Sequence, residues 1–488
     1  MQKLNPSKIV KNIFSISTGQ AFSLIINFVS ISLIARALSV DLFGNFNYLL
    51  AIATIISKLI DFGFVPIVFR EVSQSQLRKN LINTAITLRL IFFVVALLLF
   101  NSIAFTLSKD LTDIILTNIF LLNIILSNKF QNFREILEVT FRVNLSMHIP
   151  MTIVVLENIF LLILVMLFPF TSFPPLEYFI SIYVLVNLPG FVVILFILKK
   201  KYQLNLKFNL ENYKWLIKES LPIFGYVALI ALFQQLDIIF LKYFSTEYSV
   251  GLYSAAMRLT IPFNILPTAL VMTIFPIIVR NIISNQEENK RLILLSYKLL
   301  FAFSFLLVLI ISFRSEEIIH IVFGKNFIEA SLATNLLLWG QVFLFFNFLS
   351  VDLFTAHRKQ KNNLYYALLI LIINTLLIFY FSNKLNHENI AMIKLASTGI
   401  GSLFIILLMI KSGIKVKQIK FRIIFFPLFL LGFVALVTSM QINIVVYSLI
   451  IFVVAVVSMK VLKFIDDEEM SFILNLILKK NKTKVENA

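Results

Sequence analysis

The sequence predicts an all-α membrane protein of about fourteen transmembrane helices, and three observations predict it: overall apolarity, the length of the apolar runs, and the asymmetry of the basic residues. Of 488 residues, 59% are hydrophobic and only 14% charged, more apolar surface than water-soluble domains can hide. The apolar residues gather in runs of about 18 to 25, each long enough to cross roughly 30 Å of hydrocarbon as a helix. The short alternating runs of an outer-membrane barrel are absent. Cysteine is missing altogether, which removes disulfides, thiolate catalysis and Cys-ligated metal.

In chain order, the first run at 14–35 follows Lys3, Lys8 and Lys11 and has no small-residue cleavage site, so it reads as a retained first helix. Further spans are expected at 45–66, 83–107, 111–128, 149–170 and 176–198, and then at 221–243, 255–279, 293–313, 330–353, 363–382 and 390–411. A last pair is expected at 421–440 and 441–460. Orientation follows from Lys and Arg alone. With the N-terminus inside, the other side receives only Arg36, Lys109, Lys242, Arg258, Arg314, Lys325 and Lys384, while Lys58 and Lys394 fall within spans. This bias predicts cytoplasmic N- and C-termini. The net charge of +18 then reflects topology and anionic-lipid contact rather than nucleic-acid binding.

Internal repetition is visible. SLIARALSVDLFGNFNY carries Arg36 at the end of span one and Gly44 two residues before Phe46. About 207 residues later, IFLKYFSTEYSVGLYSA carries Lys242 at the corresponding helix end and Gly251 two residues before Tyr253. A glycine at this place suits a tight turn between antiparallel helices. The chain divides into an N-terminal lobe at 1–198, a linker at 199–220, a C-terminal lobe at 221–411, a hairpin at 412–460 and a cytoplasmic tail at 461–488. The linker mixes Lys with Trp215 and Leu and reads as an interfacial amphipathic segment.

SLIARALSVDLFGNFNY, LIDFGFVPIVFREVSQ at 59–74 and the long stretch at 221–259 carry a family resemblance, together with PTALVMTIFP at 267–276 and IVFGKNFIEASLATNLLLWGQVFLFFN at 321–347. In this order, over about 400 residues, they resemble the polysaccharide transporter branch of the multidrug/oligosaccharidyl-lipid/polysaccharide exporter superfamily, the O-antigen flippase (Wzx) type. Two departures stand out: the added hairpin at 421–460, and Lys394 where relatives tend to carry small residues. The resemblance implies two pseudo-symmetric six-helix lobes that enclose a central cavity and rock between inward- and outward-facing states. It also implies a substrate in which a repeat-unit oligosaccharide is joined through diphosphate to a polyprenyl lipid. Its partners would include the polymerase and chain-length regulator of the same pathway, and its location would be the cell inner membrane.

Ionisable groups within spans cost at least about 2.5 to 3.5 kcal/mol at mid-membrane, so each is a candidate that faces the interior or snorkels. In span one, Gln20, Ser23, Asn27 and Ser30 form a polar stripe on one helical face, read as cavity lining in preference to helix–helix contact. Lys58 and Asp61 are i, i+3 neighbours able to neutralise each other, in either a structural or a functional role. Gln234, Gln235 and Asp237 form a polar cluster in span seven. Glu157 has no basic residue within a helical turn and is the first candidate for a protonation switch, against the default of a hydrogen-bonded structural acid. Arginine grips phosphate oxygens through two parallel hydrogen bonds, so the implied diphosphate directs attention to Arg36, Lys58, Arg89, Lys242, Arg258 and Lys394. Asn264, Gln341, Asn347 and Asn374 are further cavity candidates. Coupling to protons or sodium would fall to Glu157, Asp237 or Asp61, and no cofactor is expected.

Enzyme readings lack a site. There is no phosphate-binding loop, GIG at 399–401 lacks the third glycine of a dinucleotide fingerprint, and His148, His320, His357 and His387 have no metal-ligand spacing. A membrane polymerase or glycosyltransferase would need a sizeable outer loop. The largest expected here, 314–329, holds Glu316, Glu317, His320 and Glu329 without a pair arrangement. Among transporters, a lipid II flippase and a multidrug/cation antiporter of the same superfamily are the alternatives.

Overall fold

The computed structural model describes residues 6–74, 80–106, 110–414, 424–438, 440, 442–467, 469 and 471. Lys109 and the expected tail beyond 471 lie outside the described residues. All regular structure among the described residues is helical. Twelve stretches are long and apolar enough to cross a membrane, and two shorter apolar helices, Leu111–Leu126 and Phe425–Thr438, stand where two further spans were expected. The protein is therefore a multi-pass membrane protein.

Two compact units are distinguished: Met1–Ala255 with Val322–Phe327 and Ile378–His387, and the remainder of the chain. The first contains α1 (Pro6–Ala37), α2 (Val40–Asp61), α3 (Phe64–Gln74), α4 (Asn80–Thr106), α5 (Leu111–Leu126) and α6 (Phe133–Val143). It continues with α7 (His148–Leu167), α8 (Pro175–Leu185), α9 (Asn187–Lys201) and α10 (Tyr213–Phe244). Here α1 packs along α7, α10 along α2, and α3 against α6.

The local chemistry explains where these helices stop. Between α2 and α3 the chain turns through Phe62 and Gly63, both at positive φ, a conformation that glycine reaches without a Cβ clash. Phe62 stacks on Phe224 at 4.2 Å, and a Cβ on Gly63 would lie 2.9 Å from Ile223 Cγ2. Gly63→Ala is therefore expected to destabilise the protein by about 1–2 kcal/mol, measurable as a lowered midpoint of thermal unfolding in detergent. Pro66 sits in the first turn of α3, where its missing N–H is harmless. Pro189 occupies the first turn of α9 and separates it from α8.

Three features differ from the sequence reading. Residues 129–148, expected as a loop, contain α6, whose Arg134 and Glu138 are buried within the unit instead of standing in water, while Glu135 and Arg142 are half-buried. Gly44 and Gly251 lie inside helices rather than at a tight turn. Pro222, expected at the end of the linker, is inside α10.

α11 (Glu247–Thr260) belongs to the first unit as far as Ala255, and the other unit then takes up the chain with α12 (Ile265–Ser284), α13 (Gln286–Ser312), α14 (Ser315–Phe323) and α15 (Ser331–Ala356). It closes with α16 (Lys361–Tyr380), α17 (His387–Lys411), α18 (Phe425–Thr438) and α19 (Ile444–Val461). The first residue of the expected outer loop, Arg314, is followed directly by α14 and then a 3-10 turn, Lys325–Ala330, so 314–329 is largely helical. A core of Leu295, Phe305, Leu309, Phe426, Val434, Tyr447 and Ile451 fastens the α18–α19 hairpin to α13. Tyr447 donates its hydroxyl to the Leu309 carbonyl at 2.8 Å, and the Arg314 guanidinium lies 5.4 Å from the Tyr447 ring centre.

Candidate functional site

Polar side chains converge inside the first unit on two helix breaks, the α2–α3 turn and residues 127–132 between α5 and α6. Arg89 on α4 is fully buried. It donates to the Asn132 carbonyl at 2.5 Å and to the Asp61 carbonyl at 3.1 Å, and it pairs with the Asp61 carboxylate. One planar guanidinium thus ties both breaks together. The Asn132 side chain donates to the Ser57 carbonyl at 2.7 Å. Lys58 donates to Gln131 Oε1 at 3.1 Å. The expected Lys58–Asp61 pair is therefore not formed: Asp61 ends α2 beside a buried cation that requires its charge, and Lys58 is left to the break.

Arg134, near the start of α6, is also fully buried. Its Nη1 lies 2.6 Å from Glu157 Oε1 and 3.4 Å from the Leu126 carbonyl, and its Nε lies 3.3 Å from Glu138 Oε1. Asn128 donates to both Glu138 oxygens at 2.7 Å. The reading of Glu157 as an unpaired carboxylate is thereby corrected, because its partner comes from a different helix, 23 residues earlier. Room for the carboxylate is left by Gly190 on α9, where a Cβ would overlap Glu157 Oε1. Nearby, Asn187 donates to Asn123 Oδ1 at 3.1 Å and accepts from Ser127 at 3.3 Å. The Lys129 ammonium lies 4.3 Å from the Tyr183 ring centre. Irregular backbone whose polar groups are satisfied by protein is the setting in which transporters build their sites.

A second group lies where α2 and α11 cross. A Cβ on Gly44 would overlap the Glu247 carbonyl oxygen, and one on Gly251 would overlap that of Val40. Each glycine thus meets the residue four positions before the other, a local two-fold relation between the two repeats. Asp237, fully buried, accepts from the Tyr253 hydroxyl at 2.9 Å. Lys242 pairs with Glu247 and lies 5.5 Å from the Tyr48 ring centre. Exposed Arg36 donates to the Val322 carbonyl at 3.0 Å, and Ser32 donates to the same oxygen.

The remaining sequence candidates are dispersed. Along α1, Gln20 is exposed, Ser23 and Asn27 are half-buried, and Ser30 is buried and bonds to its own helix at the Ile26 carbonyl, 2.9 Å. Gln234 is exposed and Gln235 half-buried. In the other unit, Arg258 and Lys394 are half-buried, as is Asn264 in the 3-10 turn between α11 and α12. Gln341 and Asn374 are buried there. Asn347 donates to Tyr366 at 3.0 Å and accepts from Ser402 at 2.9 Å, an interhelical amide network. Sequence reasoning missed Arg134, Glu138, Asn128 and Asn132. The i, i+4 spacing of Arg134 and Glu138 within FREILEVTFR was the available signal.

The fold is shared with solved transporters. A lipid II flippase MurJ in an inward closed conformation superposes with a TM-score of 0.71, covering 93% of this chain and 99% of that one at 17% identity. An inward-facing multidrug resistance MATE family transporter of the MOP superfamily gives 0.60 at 13% identity, covering 80% and 95%. The Vibrio cholerae MATE transporter VcmN in the bent form gives 0.56 at 15% identity, covering 83% and 97%. At these identities the likeness is one of fold. No curated protein sequence matches the chain. The family described as polysaccharide biosynthesis protein matches residues 9–282, more than half of the chain, and the protein belongs to that family.

Proposed function

We propose that the protein is a flippase that moves a polyprenyl-diphosphate-linked oligosaccharide repeat unit from the cytoplasmic to the outer leaflet of the cell inner membrane by alternating access. One observation carries this reading: a chain of the polysaccharide biosynthesis family has the fold of a lipid II flippase over nearly its whole length. The physical task fits such a fold, because the sugar and diphosphate head cannot cross hydrocarbon bare while the lipid chain never has to leave it. In this reading both termini are cytoplasmic, and Arg36, Lys58, Lys242, Arg258 and Lys394 are the cations offered to the diphosphate. Arg89 orders the two helix breaks beside Lys58. Gln20, Ser23, Asn27, Gln234, Gln235 and Asn264 supply hydrogen bonds to the sugar. Asp237 and Glu157 are the carboxylates first assigned to proton or sodium coupling, with Asp61 after them. A polymerase and a chain-length regulator are the proposed downstream partners.

The MurJ likeness favours a second reading, in which the carried lipid is lipid II. Reconstituted vesicles separate the two when loaded in turn with a labelled polyprenyl-diphosphate oligosaccharide and with labelled lipid II. Movement of the oligosaccharide lipid is the expected result. Movement of lipid II alone selects the second reading, and export of organic cations without movement of either glycolipid overturns both.

A further inference from the structure

Between α9 and α10, which end and begin stretches long enough to cross a membrane, residues 203–210 run without helix or strand. This strap is fastened along its length. Leu204 is buried, and its N–H donates to the Leu198 carbonyl at 3.1 Å. Three buried side chains of α4 hold the rest: Asn83 donates to the Asn205 carbonyl at 3.1 Å, Thr87 accepts from the Asn209 N–H at 3.1 Å, and Thr84 donates to the Glu211 carbonyl at 2.9 Å. These bonds satisfy backbone groups that irregular chain leaves open, and they fix which side chains stay outside.

Many of the side chains left outside are apolar. Leu206, Phe208 and Leu210 recur at every second position, the period of an extended chain, and all three are exposed, Phe208 by 81%. Tyr213 and Trp215 continue the row into the first turn of α10 and are exposed as well. A contiguous apolar row left uncovered marks an interaction surface. Around it Lys199, Lys200, Lys201, Lys207, Lys214 and Lys218 are exposed, against two exposed carboxylates, Glu211 and Glu219. Of these, Glu219 is already engaged by Arg70 at 3.0 Å. The Lys200 and Lys214 ammonium groups lie 5.6 and 5.9 Å from the Phe196 and Tyr213 ring centres, so cations and aromatic rings share one patch. Because both its ends enter membrane-spanning helices, the strap lies at the edge of the bilayer. There apolar side chains sink among acyl chains, Trp and Tyr settle at headgroup level, and lysines snorkel to phosphate.

We propose that residues 204–215 are a binding surface for anionic phospholipid of the adjacent leaflet, with Leu206, Phe208 and Leu210 among the acyl chains and Lys207 and Lys214 on the headgroups. The preference for negative charge follows from the excess of lysine over carboxylate. Trp215 is the reporter, since Trp339→Phe leaves it the only tryptophan. The full-length single-tryptophan protein is reconstituted in phosphatidylcholine vesicles carrying the same small fraction of either brominated phosphatidylcholine or brominated phosphatidylglycerol. The anionic bromolipid is expected to quench Trp215 about two-fold or more as strongly as the neutral one. Lys207→Gln with Lys214→Gln brings the two to equality while quenching by the neutral lipid persists. Lys361→Gln with Lys411→Gln, the same loss of charge in the other unit, leaves the difference intact. Phe208→Ser weakens quenching by both lipids and shifts the emission to the red, with the thermal unfolding midpoint within a few degrees of its parent. Equal quenching by the two lipids in the single-tryptophan protein overturns the inference. So does the emission of a water-exposed indole that neither lipid quenches, which would assign the row to a protein partner or a second copy of the chain.

Discussion

Arg134→Met is expected to lower stability by about 3–5 kcal/mol, the range seen when one partner of a buried ion pair is removed. The size follows from what is left behind. Glu138 and Glu157 are both buried, and both rely on the same guanidinium, which also binds the Leu126 carbonyl at the end of α5. Methionine fills a similar volume with no charge, so the loss is electrostatic and not a cavity effect. The triple variant Arg134→Met, Glu138→Gln, Glu157→Gln removes the orphaned charges and is expected to recover most of the deficit. Thermal unfolding in detergent and the amount of protein in membranes check both. A single variant as stable as the native chain would mean that water or another cation satisfies these carboxylates. If the triple variant is stable and transports with unchanged pH dependence, Glu157 is a structural acid and coupling belongs elsewhere, with Asp237 next to be neutralised.

The Arg134 cluster also marks the boundary of what was legible in the sequence. Spans such as 390–411 are readable because lipid imposes one requirement on a long run, and α17 occupies nearly that range. The segment 129–148 is not readable in this way. Asn128, Lys129, Asn132, Arg134, Glu135, Glu138 and Arg142 are too polar for a lipid-facing helix, and hydropathy assigns them to water. The third solution is burial in protein with complementary partners, and beyond the Arg134–Glu138 and Glu135–Arg142 pairs within α6 those partners come from α2, α4, α7 and α8, where spacing along one helix cannot find them. Glu157 shows the same limit: reading its own helix alone finds no base, because the base arrives from α6. Asp61 shows it within one turn, where the nearest cation in sequence, Lys58, loses to Arg89, 28 residues away.

The repeat was legible as a pattern, and its physical meaning differs from the one first assigned. Because Gly44 faces Glu247 and Gly251 faces Val40, the two glycines serve a single backbone-to-backbone crossing, the small-residue contact by which membrane helices approach closely. Gly44→Ala and Gly251→Ala are each expected to destabilise the protein by about 1–3 kcal/mol, the usual cost of overpacking. Here the obstacle is a carbonyl oxygen that no rotamer change removes. Transport per molecule in membranes should fall at least ten-fold in either variant, because spreading the crossing displaces Tyr48, Lys242 and Glu247 together. Gly432→Ala on α18 is the matched control, since nothing lies within 4 Å of its added Cβ, and it should change neither quantity. The decisive measurement is the double variant. Once one methyl has pushed the helices apart, the second meets a gap already open, so the two effects should fall well short of additive, with a coupling of about 1 kcal/mol or more. Full additivity would place the glycines in separate environments and remove the two-fold crossing as the reason for the repeat.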